Sequence, residues 1–455
     1  MLKILQIVDQ LILSQTGKHL NSIEKAIIEG TWQGKTYTKI ADKYQYSESR
    51  VRDIGYQLWR ILSKKLGEDI NKLNFRSTME RLELMLPENT HLFVNKNNIF
   101  SSYIQSLINE NEETFTLGYS RYLNLKQAPQ IVNCHGRENE LSIMVKCLKK
   151  YQQMVVFILG SAGIGKSTLV RSFIDLQALP VDVIIWKNLQ LFDSFDSVIY
   201  EILTDTKNLY NHSGPNNHVF ERLLDLLIAK RCLFILDNLE EIFQPQKLIG
   251  QYKSEYQGYQ RFLKIITEVK HQSQFILISQ KKCPEMQCFQ PNLYPIRCLE
   301  LTGVKDTKIL ENLQLKNKNF FPDLINLYEG NPRYLQDIAI LIRDIFDGDV
   351  GKFLAENSLI ITENMASHFQ QLFSQLSSTE QQIVLALTKN SQPCSKGELI
   401  QYLNVASIEL TKGLHSLQRR YLVNTISGEQ TLFQLSTVFQ EYLKGFIYIL
   451  PEYLI

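Results

Sequence analysis

The stretch GSAGIGKST, Gly160–Thr168, constrains this chain more than any other. It satisfies G-x-x-x-x-G-K-[ST] with Gly160, Gly165, Lys166 and Ser167, between the unbroken apolar run MVVFILG and a segment of helical spacing. A loop in that setting works through its backbone. The glycines let successive N–H groups close around a β-phosphate, the helix that follows points its positive end at the same place, and Lys166 adds a cation. The hydroxyl of Ser167 is placed to meet Mg2+. Gly160, Gly163, Ile164, Gly165, Lys166, Ser167 and Thr168 are therefore the candidate contacts for ADP or ATP.

Apolar runs of the same kind recur at VDVIIW, RCLFILDN and QFILIS, separated by helix-length segments such as ERLLDLLIAK and YQRFLKIITEVK. Strands alternating with helices predict a parallel sheet covered on both faces. Asp237 ends one of these runs, where a carboxylate can steady the metal together with Ser167, which makes Lys166 and Asp237 the candidate catalytic pair. The next residue is Asn238, and an amide cannot take a proton from an attacking water. Glu240 or Glu241 could serve instead; otherwise they are solvated charges opening a helix.

Around this core the patterning is helical. Residues 22–66 read as three helices, with Ser47 as an N-cap and Val51, Ile54, Leu58, Ile61 and Leu62 on one apolar stripe. The last two helices have helix-turn-helix proportions, and residues 36–66 carry seven basic side chains against three acidic. Arg50 and Arg52 lie early on the second of them, where base-reading groups would sit, although adaptor or packing use is the stronger expectation. A polar stretch near VNKNNIFSS reads as linker, helices dominate after about residue 300, and residues 377–446 give three helices and then two short strands around a Ser-Gly turn. The expected fold class is multidomain, α and α/β: a helix-turn-helix at 1–90, a linker at 91–129, a parallel-sheet P-loop NTPase core at 130–300, a helical domain at 301–365 and a winged helix at 366–455.

The balance of 49 basic and 47 acidic residues gives a net charge of +2, so no global field draws the chain to nucleic acid or to an anionic membrane. The seven cysteines show neither CxxC pairs nor framework spacing, which fits a reducing cytoplasm. No apolar run reaches the roughly 18 residues a membrane span requires. A soluble, cytoplasmic protein is expected.

HGRENEL, the glycine loop, VIIWKNL, RCLFILDNLEEIFQP, GQYKSEYQGYQRFLK, HQSQFILISQKKCPE and YEGNPRYL follow one another as in an NB-ARC domain. From about 130 to 445 the chain resembles that STAND-class, AP-ATPase-like signalling module of plant resistance proteins and apoptosome scaffolds, in its cyanobacterial form. The preceding helices resemble the helix-turn-helix, of vWA-MoxR-associated type, that opens many such cyanobacterial proteins. The resemblance implies that His135, Gly136 and Arg137 lie over adenine and ribose and that Pro332 packs on the base. It also implies that the winged helix, with Arg419 and Arg420, folds back on the nucleotide rather than onto DNA.

Two departures bear on mechanism. The family's arginine that reads the γ-phosphate is Gln280 here, with Lys281 and Lys282 as weaker substitutes, and the histidine of its M-H-D motif has no counterpart near Phe433–Leu443. Nucleotide is thus expected as a retained ligand of a slow ATPase, in a switch that changes protein partner or self-association. The alternative is a nucleotide-gated transcriptional regulator that binds DNA through Arg50 and Arg52; a motor or metabolic ATPase is disfavoured by Asn238 and Gln280. Relatives of this type continue into sensor repeats, whereas this chain ends at LPEYLI, so the sensor is either a separate polypeptide or lost by truncation.

Overall fold

The computed structural model describes residues 19–66 and 122–449, apart from 131–133, 151–153, 177–180, 210–217, 284–285, 287–295, 357, 391, 404 and 429, together with isolated positions at 5, 8, 9, 12, 70–72, 74–76 and 79. The expected linker near VNKNNIFSS lies outside the described residues. The chain divides into two compact units, Met1–Thr116 and Leu117–Ile455.

In the first unit the three expected helices are α1 (Ser22–Trp32), α2 (Tyr37–Tyr44) and α3 (Glu48–Leu66). Asn21 caps α1 by accepting from the N–H groups of Ile23 and Glu24 while Glu24 returns a bond to the Asn21 N–H, which satisfies several otherwise orphaned donors at the helix start. Gln45, in the left-handed region, ends α2, and the Ser47 hydroxyl accepts from the Arg50 N–H at 3.4 Å to start α3. On α3, Val51, Leu58 and Leu62 are buried, and Ile54 and Ile61 half-buried, as the stripe requires. Gly55 lets Tyr37 approach, since a methyl there would lie 2.8 Å from the Tyr37 hydroxyl, which also accepts from the Trp59 indole at 2.8 Å.

The second unit is built on a six-stranded parallel sheet of β1 (Tyr122–Asn124), β2 (Val155–Leu159), β3 (Val183–Asn188), β4 (Cys232–Asp237), β5 (Gln274–Ser279) and β6 (Ile296–Glu300), in the order β1-β3-β4-β5-β2-β6. Its helices are α4 (Glu138–Val145), α5 (Lys166–Asp175), α6 (Phe195–Thr206), α7 (Val219–Ala229) and α8 (Gly258–Glu268). The central strands β2 to β5 are the four apolar runs, buried along nearly their whole length. The two outer strands are additions: β1 falls inside the stretch read as linker, and β6 exposes most of IRCLE, so neither carries an apolar run to betray it. All six strands point the same way, which gathers the glycine loop, Asn188, Asp237 and Gln280 at one edge of the sheet.

After β6 come the helices α9 (Lys308–Glu311), α10 (Phe321–Leu327), α11 (Pro332–Phe346), α12 (Val350–Ala355), α13 (Glu363–Ser374), α14 (Ser378–Lys389), α15 (Lys396–Tyr402), α16 (Ser407–Arg419) and α17 (Thr437–Ile449). A hairpin of β8 (Val423–Ile426) and β9 (Leu432–Leu435) turns through Ser427 and Gly428, and β7 (Cys394–Ser395), too short to read from sequence, pairs with β9. Buried apolar residues from Leu310 to Leu443 form one core, so the two parts expected at 301–365 and 366–455 share an interior. Among the described residues no helix is long and apolar enough to cross a membrane.

Candidate functional site

Gly160, Gly163 and Gly165 all have positive φ, at 146°, 74° and 96°, which L-residues with side chains rarely adopt. The loop they shape joins β2 to α5. Lys166 is 7% exposed and its ammonium donates to the carbonyls of Gly160 and Ser161 at 3.0 and 2.8 Å. Burial pulls its pKa down to about 8, against the opposing pull of Glu240 and Asp237. The Ser167 hydroxyl donates to Asp237 Oδ1 at 3.1 Å, so the two expected metal-binding side chains are in contact across β2 and β4 although β5 separates those strands. Burial raises the Asp237 carboxyl to about 6, with the Ser167 hydroxyl and the Asn238 N–H acting in the opposite direction.

This donor set fits a magnesium nucleotide. Two oxygen ligands from the protein leave positions that water and phosphate oxygens fill, as a hard cation of this size requires. Among the described residues no cluster of three or more His, Cys, Asp or Glu could hold a metal by itself.

Asn238 sits in the left-handed region and its amide donates to Asn188 Oδ1 at 2.8 Å, which commits the side chain to the end of β3. Glu240 is not a solvated charge. It is 8% exposed, accepts from the Gln280 N–H at 3.0 Å through Oε2, and keeps Oε1 buried with no hydrogen-bond partner among the described residues. Of the two lysines after Gln280, Lys282 is engaged with Glu300 at 2.8 Å, while Lys281 faces the cavity and is held down to about 8, chiefly by burial and then by Arg420.

That cavity, of about 570 Å³, is bounded by Ser161–Ile164, by Glu240 and Gln280, by Asn331 and Arg333, and by His368. Arg137 braces one side. Its guanidinium, 4% exposed, donates to the Ile164 and Thr302 carbonyls at 3.0 and 2.7 Å and to Glu140 at 2.8 Å, so these bonds hold the loop rather than reach outward. His135 and Gly136 are half-buried beside it, Gly136 with φ 66°. Pro332, half-buried, is the first residue of α11.

Two residues here escaped the sequence reading. Asn331 caps α11 through its Oδ1 and donates its amide to the Ala162 carbonyl at 2.9 Å, clamping the glycine loop. A methyl on Gly163 would lie 2.6 Å from Arg333 Cβ, so only glycine admits this approach. His368, on α13, turns toward the same cavity with Nε2 buried and unpartnered among the described residues. Burial, then Arg333 and Lys166, lower its pKa to about 4. Because the folded state disfavours the imidazolium, the unfolded chain binds more protons between the two pKa values and stability falls as the pH drops through that window. Acidification from about pH 7 to about pH 5 is therefore expected to lower the Tm of the wild type more than that of His368→Gln, compared by thermal unfolding.

Arg419 and Arg420 point inward. At 7% and 8% exposed, they tie α16 to the rim of the sheet. Arg419 donates to the Lys282 and Ile249 carbonyls, and Arg420 donates to Lys247 O at 2.8 Å and to Glu380 Oε1 at 2.7 Å. Glu380 is fully buried and also accepts from the hydroxyls of Ser416 and Ser377.

Residues 1–82 match the vWA-MoxR associated protein N-terminal HTH family, and residues 149–287 match the AAA domain family. An uncharacterized WD repeat-containing protein of Nostoc sp. is 30% identical over 354 residues, covering 73% of this chain but 28% of the Nostoc protein. The chain thus spans less than a third of the length of that relative. Among solved structures, a STAND protein with a tetratricopeptide repeat sensor from Pyrococcus horikoshii is 16% identical over 70% of this chain and 43% of its own, with a TM-score of 0.34. A Walker-type ATPase of Pyrococcus abyssi is 13% identical over 71% of this chain and 98% of its own, with a TM-score of 0.47. The chain carries an N-terminal helix-turn-helix domain of the vWA-MoxR-associated type and an AAA-type P-loop ATPase domain, a family that binds nucleotide, typically with Mg2+.

Proposed function

We propose that the chain is a signalling switch of NB-ARC type, in which ADP or ATP with Mg2+ controls how the C-terminal part docks and through it partner binding or self-association. The observation that carries this reading is the cavity, whose walls come from the glycine loop, from the end of β5 and from the helices and hairpin after residue 330. A nucleotide whose phosphates sit on Gly160–Thr168 would touch the parts that have to separate. In this reading residues 366–455 are the winged helix, 301–365 the helical domain and 1–90 the helix-turn-helix; Lys166 and Asp237 serve the phosphates and metal, and His135, Gly136 and Pro332 flank the base. A difference in affinity of roughly 5.5 kcal/mol between closed and open forms inverts their ratio from 1:99 to 99:1. The protein as purified is expected to carry ADP, and its mass in solution to differ between ADP and an ATP analogue. An empty protein of unchanged mass in both nucleotides contradicts the switch.

Turnover, if present, is slow, because Asn238 is committed to Asn188 and cannot act as a base. Glu241 is engaged by Gln190 and Lys253, which leaves Glu240, its buried Oε1 unpartnered among the described residues, as the carboxylate to orient water. Glu240→Gln is expected to cut residual ATP hydrolysis by about a hundredfold without weakening ADP binding; an unchanged rate in a phosphate-release assay removes Glu240 from the mechanism.

A second reading, a DNA-binding regulator, draws on Arg50 and Arg52, both exposed on α3. Arg52 pairs with Glu48 at 2.6 Å, which weakens its claim on a phosphate. If DNA is the partner, affinity for duplex falls steeply with salt and Arg50→Ala with Arg52→Ala abolishes it; retention of binding in the double variant excludes this surface.

A further inference from the structure

We infer that the segment Gln244–Tyr252, which follows the metal-binding end of β4, is a built-in catch that holds the C-terminal helices docked without help from nucleotide. The inference rests on the docking half of the reading above. It assigns the lock to a strap of backbone, in a chain whose Phe433–Leu443 stretch has no histidine.

The strap is a shaped element. The Gln244 N–H donates to the Gln251 carbonyl at 2.8 Å and the Lys253 N–H to the Ile242 carbonyl at 2.9 Å, while the rings of Phe243 and Tyr252 stack with centroids 5.3 Å apart. These bonds join the two arms and present the tip, Gln246–Ile249, as a narrow turn. Gln246 enters that turn with φ 57°, a region that a residue with a Cβ seldom adopts, and Gly250 leaves it with φ 113°.

The C-terminal helices grip this tip by its backbone. The Gln246 N–H donates to the Gln375 carbonyl at 3.0 Å, and its side-chain amide donates to the Ser374 carbonyl at 3.4 Å. The Lys247 carbonyl accepts from Arg420 at 2.8 Å, the Ile249 N–H donates to the Ser416 hydroxyl oxygen at 2.9 Å, and the Ile249 carbonyl accepts from Arg419 at 3.3 Å. One buried group sets the socket. Glu380 Oε1 accepts from the Ser416 hydroxyl and from Arg420 Nε, both at 2.7 Å. A carboxylate oxygen only accepts, so the Ser416 proton is committed inward and its oxygen is left for the Ile249 N–H, while the outer N–H of Arg420 is left for Lys247. An acceptor and a donor one turn apart at the end of α16 thus meet a donor and an acceptor two residues apart on the strap.

None of these contacts involves the glycine loop, Lys166 or Asp237, so the docking they make is complete before any ligand arrives. The strap is nonetheless coupled to the site. Its stem is the short turn Leu239–Ile242, fixed by the buried side chains of Leu239 and Ile242, and this turn carries Glu240, whose Oε2 accepts the Gln280 N–H at 3.0 Å. A displacement of that turn displaces the strap, and the site thereby acts on docking through the loop after β4.

Hydrogen exchange of the Gln246 amide in the full chain tests the catch, because its acceptor, Gln375, lies across the docked contact. In the wild type its exchange rate is expected to agree within about threefold between protein loaded with ADP and protein stripped of nucleotide. Ser416→Ala removes the acceptor of Ile249 without touching Gln246, and is expected to speed exchange at Gln246 by about tenfold or more with ADP present. Amides of α14 that stay protected show that the C-terminal core is still folded; Arg419→Gln, which leaves the Arg420–Glu380 pair in place, decides the matter if they do not. A Gln246 amide that loses protection when nucleotide is removed, or that keeps wild-type protection in both variants, overturns the inference. The first of those results leaves the nucleotide reading standing, whereas a wild type that takes up no nucleotide and still protects Gln246 ends that reading and leaves the catch.

Discussion

Lys166→Met is expected to lower affinity for ADP by at least about a hundredfold while leaving the ligand-free protein as stable as the wild type, or more stable. The two halves of that result have one cause. The ammonium is desolvated, and what it has in exchange is two backbone carbonyls and the more diffuse pull of Glu240 and Asp237. Burial has already moved its pKa to about 8, a sign that the charged form is held at a cost. Methionine keeps the apolar stem and drops the charge. Urea unfolding read beside calorimetry checks the pair: a loss of stability above about 3 kcal/mol would mean that the two carbonyl bonds hold the loop together, and unchanged affinity would mean that phosphate does not meet this lysine.

Arg420→Ala is expected to cost about 3–5 kcal/mol, the range for removing one partner of a buried ion pair. Glu380 would remain fully buried with its charge, keeping its two serine hydroxyls and losing the guanidinium at 2.7 Å. The contact to the Lys247 carbonyl would go as well, and with it one of the attachments between α16 and the rim of the sheet. The exposed pair Lys444–Glu441, at 2.9 Å, supplies the contrast, and Lys444→Ala is expected to change stability by less than about 0.5 kcal/mol. Comparable effects of the two substitutions in chemical unfolding would show that the inward pair is not what fastens the C-terminal helices.

The sheet was legible because its central strands are buried on both faces, so VVFIL, VIIWKN, CLFILD and QFILIS had to be continuous apolar runs. Strands at the margin obey no such demand: Tyr122–Asn124 is three residues long, and IRCLE buries only Ile296. The glycine loop and Asp237 could be read in one dimension because their spacing is the chemistry. What closes the site from the other side could not. Asn331 and Glu380 act on partners 169 and 40 residues away in sequence, and a solitary amide or carboxylate at an amphipathic helix carries no mark of what it will meet. Arg419 and Arg420 illustrate the same gap. As a sequence the pair is compatible with DNA; only the fold reveals carbonyls and a buried carboxylate waiting for it.

The chamber between the glycine loop and the helices exists only while its sides are assembled, for no single stretch of chain encloses it. An occupant that touches several of those sides loses contacts when one of them withdraws. The fastenings made by Asn331 and Arg419 therefore bear on how fast such an occupant exchanges as well as on stability.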